Sequence, residues 1–429
     1  MATMSSLIRR EIAGISVSDL VRDFGTPTYV YDAALIEERI RDLALFDLVR
    51  FAQKANSNLA VLDLCRRAGV AVDCVSVGEV HRALAAGYEI AGDPPQIVYT
   101  ADIFDREALD LVVELGIPIN CGSPDMIDQY GARVSGEDIT LRINPGFGHG
   151  HSQKTNTGGE QSKHGIWHEQ LPECVARAQR SGLRVGGIHV HIGSGADLEH
   201  LGQVASAVFE LALTAGDQVH TISAGGGLPV PYKPGDPTMD VPAYFARWDA
   251  MRKRLEERFG HRVRLEIEPG RYLVAEAGTL VTEVCAVKEM GTNSFTLVDA
   301  GFNALARPIL YGAYHPMSLA PADTSERPAR FSQVFGGGGF GVVIAVKAKE
   351  GDIFTQEEGG FVRTQRLPEA RVGDHLLIES AGAYGFVMSS NYNSKPKPAE
   401  VLIRDGKAHL VRARQTSEDL IRGERIPSD

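Results

Sequence analysis

Disulfide chemistry has little to work with in this sequence. Its 429 residues include five cysteines, Cys65, Cys74, Cys121, Cys174 and Cys285. None forms a CxxC pair, and the odd, scattered set reads as reduced thiols of a cytosolic protein. A chain this long buries a core large enough to need no staples. Positive charge is also short. Lys plus Arg is 44 against 55 for Asp plus Glu, a net charge of −11. That balance argues against general binding to nucleic acid or anionic membrane. A long apolar run is missing too. The longest uncharged stretch, Phe331 to Val346, is too short and too rich in glycine for a bilayer span. The N-terminal MATMSSLIRREIAGISV holds its arginines inside its apolar stretch, so it does not read as a secretory signal. No internal repeat, low-complexity tract or charged linker is evident.

Glycine is what the chain has in excess. The 46 glycines are about 11% of the chain, against a usual value of about 7%. With no collagen-like period, they point to loops where backbone turns tightly or approaches a ligand.

Short β-rich runs recur through the first two thirds: LVRFAQK (48–54), VAVDCVS (70–76), QIVYT (96–100), IPINC (117–121), ITLRIN (139–144), GGIHVHIG (186–193), TISAGG (221–226) and RLEIEPG (264–270). Between them lie apolar residues at helical spacing, as in SNLAVLDLCRRAG and HEQLPECVARAQR. Strands alternating with helices imply a parallel sheet, and eight such units suggest an α/β fold closed into a (β/α)8 TIM-type barrel. Periodicity leaves an open doubly wound sheet as the alternative. After about residue 275, TLVTEVCAVKEM, SFTLVDAG, DHLLIESAG and EVLIRDGKAHLVRARQ read as strands joined by turns. The expected division is an N-terminal segment (1–30) that joins the β domain, a barrel (31–272) and a C-terminal β domain (273–429).

Catalytic groups of such barrels come from the C-terminal ends of several strands. Those ends here carry Lys54, Asp73 and Ser76, Asn144, His189 and His191, Gly225 to Gly227, then Glu268 and Arg271. Lys54 alone reads more readily as a lysine reaching solvent than as an amine that forms a Schiff base. His191 alone reads as a core histidine, but Gly193, Ser194 and Gly195 follow it in a loop suited to phosphate. AGGGLP can form an anion cradle of backbone amides or only a tight turn. In EPGR, Glu268 could serve a ring nitrogen and Arg271 could grip a carboxylate, or the two could form a local salt bridge. Taken together, a lysine, a stacking histidine, two glycine loops and an acid match the requirements of one cofactor, pyridoxal phosphate.

FAQKAN, HVHIGSG, GGGLP, EPGR, ARPILYGAYHP and GAYGFVMSSNYN resemble the bacterial diaminopimelate decarboxylases, barrel-type (fold-type III) pyridoxal-phosphate enzymes. The resemblance covers nearly the whole chain. It implies that Lys54 is the Schiff-base lysine and that His191 stacks on the cofactor ring. Ser194, Gly225, Gly226, Gly227, Glu268, Gly270 and Arg271 would then form the phosphate and pyridine contacts. Arg271, Arg307 and Tyr311 would bind substrate carboxylates, and Tyr384 would stand near phosphate and substrate. It further implies a homodimer with shared active sites, no metal, and a place in amino-acid biosynthesis in the cytoplasm.

One segment departs from the family. A Cys-Glu-Ser run is expected shortly before a Gly-Asp pair, yet Ala348, Lys349 and Glu350 stand there, and no cysteine follows Cys285. In the family that Cys donates the proton to the decarboxylated carbon and the Glu binds the distal ammonium. The departure leaves three explanations open: remodelling for a related amino acid, catalytic damage, or a compensated reading-frame change. The leading expectation is decarboxylation of meso-diaminopimelate to L-lysine, or of a related amino acid in a specialised antibiotic or toxin pathway such as tabtoxin biosynthesis. An amino-acid racemase and a non-catalytic cofactor-binding paralogue are the alternatives.

Overall fold

A computed structural model of the protein describes residues 7–147, 158–191, 193, 198–291, 293–325, 327–336, 352–356, 362 and 364–427. Chain contacts divide the protein into two compact units. One comprises residues 37–230 and 237–273; the other comprises 1–36, 231–236 and 274–429.

The first unit is a closed parallel barrel. Its eight strands are Leu48–Ala52, Ala71–Cys74, Ile97–Ala101, Ile119–Cys121, Asp138–Asn144, Arg184–Val190, Thr221–Ser223 and Arg264–Ile267. Each pairs in parallel with the next. Arg184–Val190 joins Asp138–Asn144, and Arg264–Ile267 returns to Leu48–Ala52 through Ile267↔Val49, closing the ring. A two-residue strand, Ile166–Trp167, adds to the outer end of Asp138–Asn144. All eight runs expected from the sequence are therefore barrel strands. Alternation of strand and helix left only closure undecided, and the Ile267↔Val49 pairing decides it.

Helix boundaries follow local chemistry. Asn58 accepts from Ala60 N–H to start Leu59–Arg67, Ser76 accepts from Glu79 N–H to start Val77–Ala85, and Asp105 accepts from Ala108 N–H to start Arg106–Leu115. Each side chain satisfies a backbone donor that the first helical turn leaves open. Phe51, Val72, Leu141, Ile188, Ile222 and Ile267 are at most 1% exposed, so both faces of the strands are covered, as a parallel sheet requires.

The second unit is a β-sheet domain. The long strand Gly278–Met290 pairs antiparallel with Asn293–Val298, His375–Ile378 and the N-terminal Thr28–Asp32. Thr28–Asp32 then pairs in parallel with Ala399–Arg404, which forms a hairpin with Lys407–Arg412. The N-terminal segment thus sits between two C-terminal strands. Met317–Ala320 covers the other edge of His375–Ile378. Ile12, Leu20, Val30, Val281, Leu377, Val401 and Ile403 fill this unit's core. Among the described residues no helix is long and apolar enough to cross a membrane.

Candidate active site

Lys54 stands in a single turn, Gln53–Ala55, directly after the strand Leu48–Ala52. Lys54 is exposed, while Gln53 and Ala55 beside it are buried. Ala52 N–H donates to Pro269 O at 3.0 Å. A Cβ on Gly270 would lie 3.2 Å from Ala52 O and 3.3 Å from Ala55 Cβ. The EPGR segment therefore packs backbone to backbone against the lysine turn, and only glycine fits there without displacement.

Glu268 is buried and held by two side chains. His189 Nε2 donates to one carboxylate oxygen at 2.6 Å and Ser223 Oγ to the other at 3.0 Å. Burial alone would raise this carboxyl, but His189, Ser223 and the Arg50 cation outweigh it and hold the group at about 2. Glu268 is consequently an anion at neutral pH. Asp73 is pushed the other way. Burial, then the Glu268 anion, raise it to about 6, against the opposing effects of Lys54 and a Thr100 hydrogen bond. Asp73 Oδ1 and His189 Nδ1 are buried with no hydrogen-bond partner among the described residues.

His191 follows the strand Arg184–Val190. Its Nδ1 accepts from Gly226 N–H at 3.2 Å. Burial, then the Arg142 and Lys54 cations, hold its imidazole far below the usual histidine range. The ring is neutral, with its proton on Nε2.

Gly225 and Gly227 have φ of 62° and 93°, in the region that favours glycine. A Cβ would lie 2.0 Å from Val190 O at Gly225, 2.4 Å from Glu268 O at Gly226 and 2.1 Å from Gly193 O at Gly227. The backbone approach that demands glycine here is between strand ends of the barrel itself, and it seats the triplet against both His191 and Glu268. Arg271 opens the short helix Arg271–Val274 and is buried. Ser194 lies outside the described residues, as do Gly195, Ala348, Lys349 and Glu350.

These residues fit pyridoxal phosphate. They offer an amine for its aldehyde, a neutral flat imidazole, a carboxylate held anionic for a ring nitrogen, and a glycine turn with room only for backbone. The two orphaned atoms, Asp73 Oδ1 and His189 Nδ1, place unspent polar capacity beside the same carboxylate.

Arg307, Tyr311 and Tyr384 belong to the sheet unit. Arg307 opens the short helix Arg307–Tyr311, which Gly312 ends in a left-handed conformation. The guanidinium is buried and donates from Nη1 to His315 Nε2 at 3.0 Å. It also lies over the Tyr232 ring, 4.9 Å from the centroid. Tyr311 is half-buried. Tyr384 has a φ of 56°, and a non-glycine residue held there stores roughly 1–3 kcal/mol, a strain that gathers at functional sites.

Sequence reasoning missed Ser223, Arg142, Tyr232 and His315. Ser223 and Arg142 had a usable signal, since each is a polar residue in a run that reads as a buried strand. His315 lay within the quoted ARPILYGAYHP but carried no role of its own. Tyr232 had no signal at all, because residues 231–236 are a short excursion that the barrel sequence sends to the sheet unit.

Residues 34–275 match the family model described as pyridoxal-dependent decarboxylase, pyridoxal binding domain. Diaminopimelate decarboxylase of Escherichia coli strain K12 is 51% identical over 403 residues, covering 94% of each chain. The Streptomyces coelicolor enzyme of that name is 51% identical over 405 residues, covering 94% of this chain and 90% of its own. A crystal structure of diaminopimelate decarboxylase superposes with a TM-score of 0.89 at 49% identity, covering 97% of this chain and 98% of that one. The Helicobacter pylori diaminopimelate decarboxylase in complex with L-lysine gives a TM-score of 0.81 at 29% identity, covering 94% and 98%.

Proposed function

Because this chain belongs to the pyridoxal-phosphate-dependent diaminopimelate decarboxylase family, we propose that it converts meso-diaminopimelate to L-lysine and CO2. Pyridoxal phosphate is its cofactor and its chemistry is that of a carboxy-lyase. When bound, the cofactor supplies an electron sink for the pair left behind as CO2 departs.

In this reading Lys54 would hold the cofactor by its aldehyde, and the neutral His191 ring would face the cofactor ring. Ser194, Gly225 to Gly227 and Gly270 would hold the phosphate. Glu268, fixed as an anion, would favour a proton on the ring nitrogen. Arg271, Arg307 and Tyr311 take the substrate carboxylates, and Tyr384 stands near phosphate and substrate. A second copy of the chain completes the site, and the cytoplasm keeps the thiols reduced. The observation that carries this reading is Glu268: a buried carboxylate clamped by His189 and Ser223 and held at about 2. Such a group is suited to keeping a neighbouring nitrogen protonated.

The specialised-pathway, racemase and non-catalytic readings gain no support from the comparisons, in which relatives at 51% identity are diaminopimelate decarboxylases. The test is to give the cofactor-loaded protein meso-diaminopimelate and quantify lysine and CO2. Equimolar formation of both is expected, despite Ala348, Lys349 and Glu350. Epimerised substrate that keeps both carboxylates would establish racemisation instead, and no conversion would overturn the reading.

A further inference from the structure

We propose that His315 is a positioning residue for substrate recognition: a neutral acceptor that aims the Arg307 guanidinium at a substrate carboxylate. This rests on the reading of Arg307 as a carboxylate ligand.

The protonation state of His315 follows from its partners. A guanidinium has donors and no acceptor, so the 3.0 Å contact with Arg307 Nη1 makes His315 Nε2 the acceptor. The ring proton then sits on Nδ1, which donates to Glu379 O at 3.0 Å. Both ring nitrogens are satisfied, and the residue is fully buried. The Glu379 side chain is engaged elsewhere, with Ser318 Oγ at 2.6 Å and Arg9 at 3.2 Å. The imidazole therefore meets the backbone carbonyl of Glu379.

The backbone leaves His315 no freedom to drift. Glu379 N–H donates to Pro316 O at 2.8 Å, and Met317–Ala320 is paired in register with His375–Ile378. Gln365 Nε2 donates to His315 O at 3.1 Å. Tyr232 completes the mount, meeting the His315 ring edge to face at 5.7 Å and lying beneath Arg307 at 4.9 Å. The imidazole acceptor and the aromatic platform together fix the direction of the planar fork.

The test titrates the cofactor-loaded protein with two ligands and follows the cofactor's visible absorbance, which needs no turnover. L-lysine carries one carboxylate; 1,5-diaminopentane has the same amines and none. His315→Phe keeps the ring and its edge contact with Tyr232 but loses the acceptor. It is expected to weaken L-lysine binding by about tenfold or more, the scale of one hydrogen bond to a charged group, and to leave 1,5-diaminopentane unchanged. His315→Gln, which restores an acceptor, should recover most of the loss. Where His315→Phe fails to fold, His315→Gln is compared with the shorter His315→Asn, and the same split is expected. Equal weakening of both ligands would overturn the proposal. Weakening of L-lysine by Arg307→Gln but not by His315→Phe would overturn it while sparing the Arg307 assignment. An Arg307→Gln variant that binds L-lysine normally would overturn both.

Discussion

The barrel and the sheet unit hold their central charged groups by different physics. In the barrel, Glu268 is fixed by opposite charge and hydrogen bonds, from His189, Ser223 and Arg50, strongly enough to overcome its own burial. In the sheet unit, Arg307 rests on a neutral imidazole and an aromatic face. The first arrangement fixes a protonation state, which is what tuning a cofactor requires. The second fixes the direction of a planar fork, which is what orienting a bound carboxylate requires. In the function proposed above, the barrel would set the chemistry, and Arg307 of the sheet unit would act with Arg271 on the substrate carboxylates.

Variants can break this division, and the largest effect should come from the barrel. Lys54→Ala should abolish the cofactor's visible absorbance in a titration and lower turnover on the order of 10³-fold or more, as removal of a covalent group does. An imine absorbance that survives would show that Lys54 is not the residue that tethers the cofactor. Glu268→Gln should lower kcat by about 10²-fold, comparable to losing one preorganised electrostatic contact. It also has a stability signature in acid. The folded-state pKa of Glu268 is about 2, below its ordinary 4.5, so its contribution is present above about pH 4.5 and lost as pH falls towards 2. Denaturant titrations of wild type and variant should therefore converge over that window. A gap that widens in acid would contradict the assignment.

Gly226→Ala sharpens the packing side of the comparison. Its Cβ would meet Glu268 O at 2.4 Å, so the strand end must shift. Stability should drop by about 1–3 kcal/mol, and cofactor affinity should fall with it in a titration. The smallest effects belong to exposed ion pairs on either unit. Arg133 pairs with Asp110 at 2.7 Å on the barrel, and Arg330 with Glu289 at 2.9 Å on the sheet unit. Each arginine changed to Ala should shift stability by less than about 0.5 kcal/mol in thermal melts. A larger loss at either site would mean that surface pairing contributes to what is here assigned to the interior.

The same contrast governs what could be read from the sequence. The barrel was legible because its strands alternate with helices and because Lys54, His191 and Glu268 fall at strand ends, where chemistry is expected. The EPGR spacing also suggested a Glu268–Arg271 pair, but it could not point to His189 and Ser223, which reach the carboxylate from other strands. Those residues are 79 and 45 positions away in the chain, beyond any local pattern. The Arg307 cluster was less legible still. Tyr232 reaches it from a six-residue excursion out of the barrel sequence, residues 231–236. The glycine excess had a double meaning: Gly225 to Gly227 were read as a ligand loop, and their close contacts are with neighbouring strand ends.

The division of work is tested most directly by steady-state kinetics with meso-diaminopimelate on two variants side by side. The account predicts that Glu268→Gln loses kcat with little change in KM, whereas Arg307→Gln raises KM with a much smaller effect on kcat. If Arg307→Gln instead lowers kcat as Glu268→Gln does and leaves KM unchanged, the assignment of chemistry to one unit and recognition to the other is wrong.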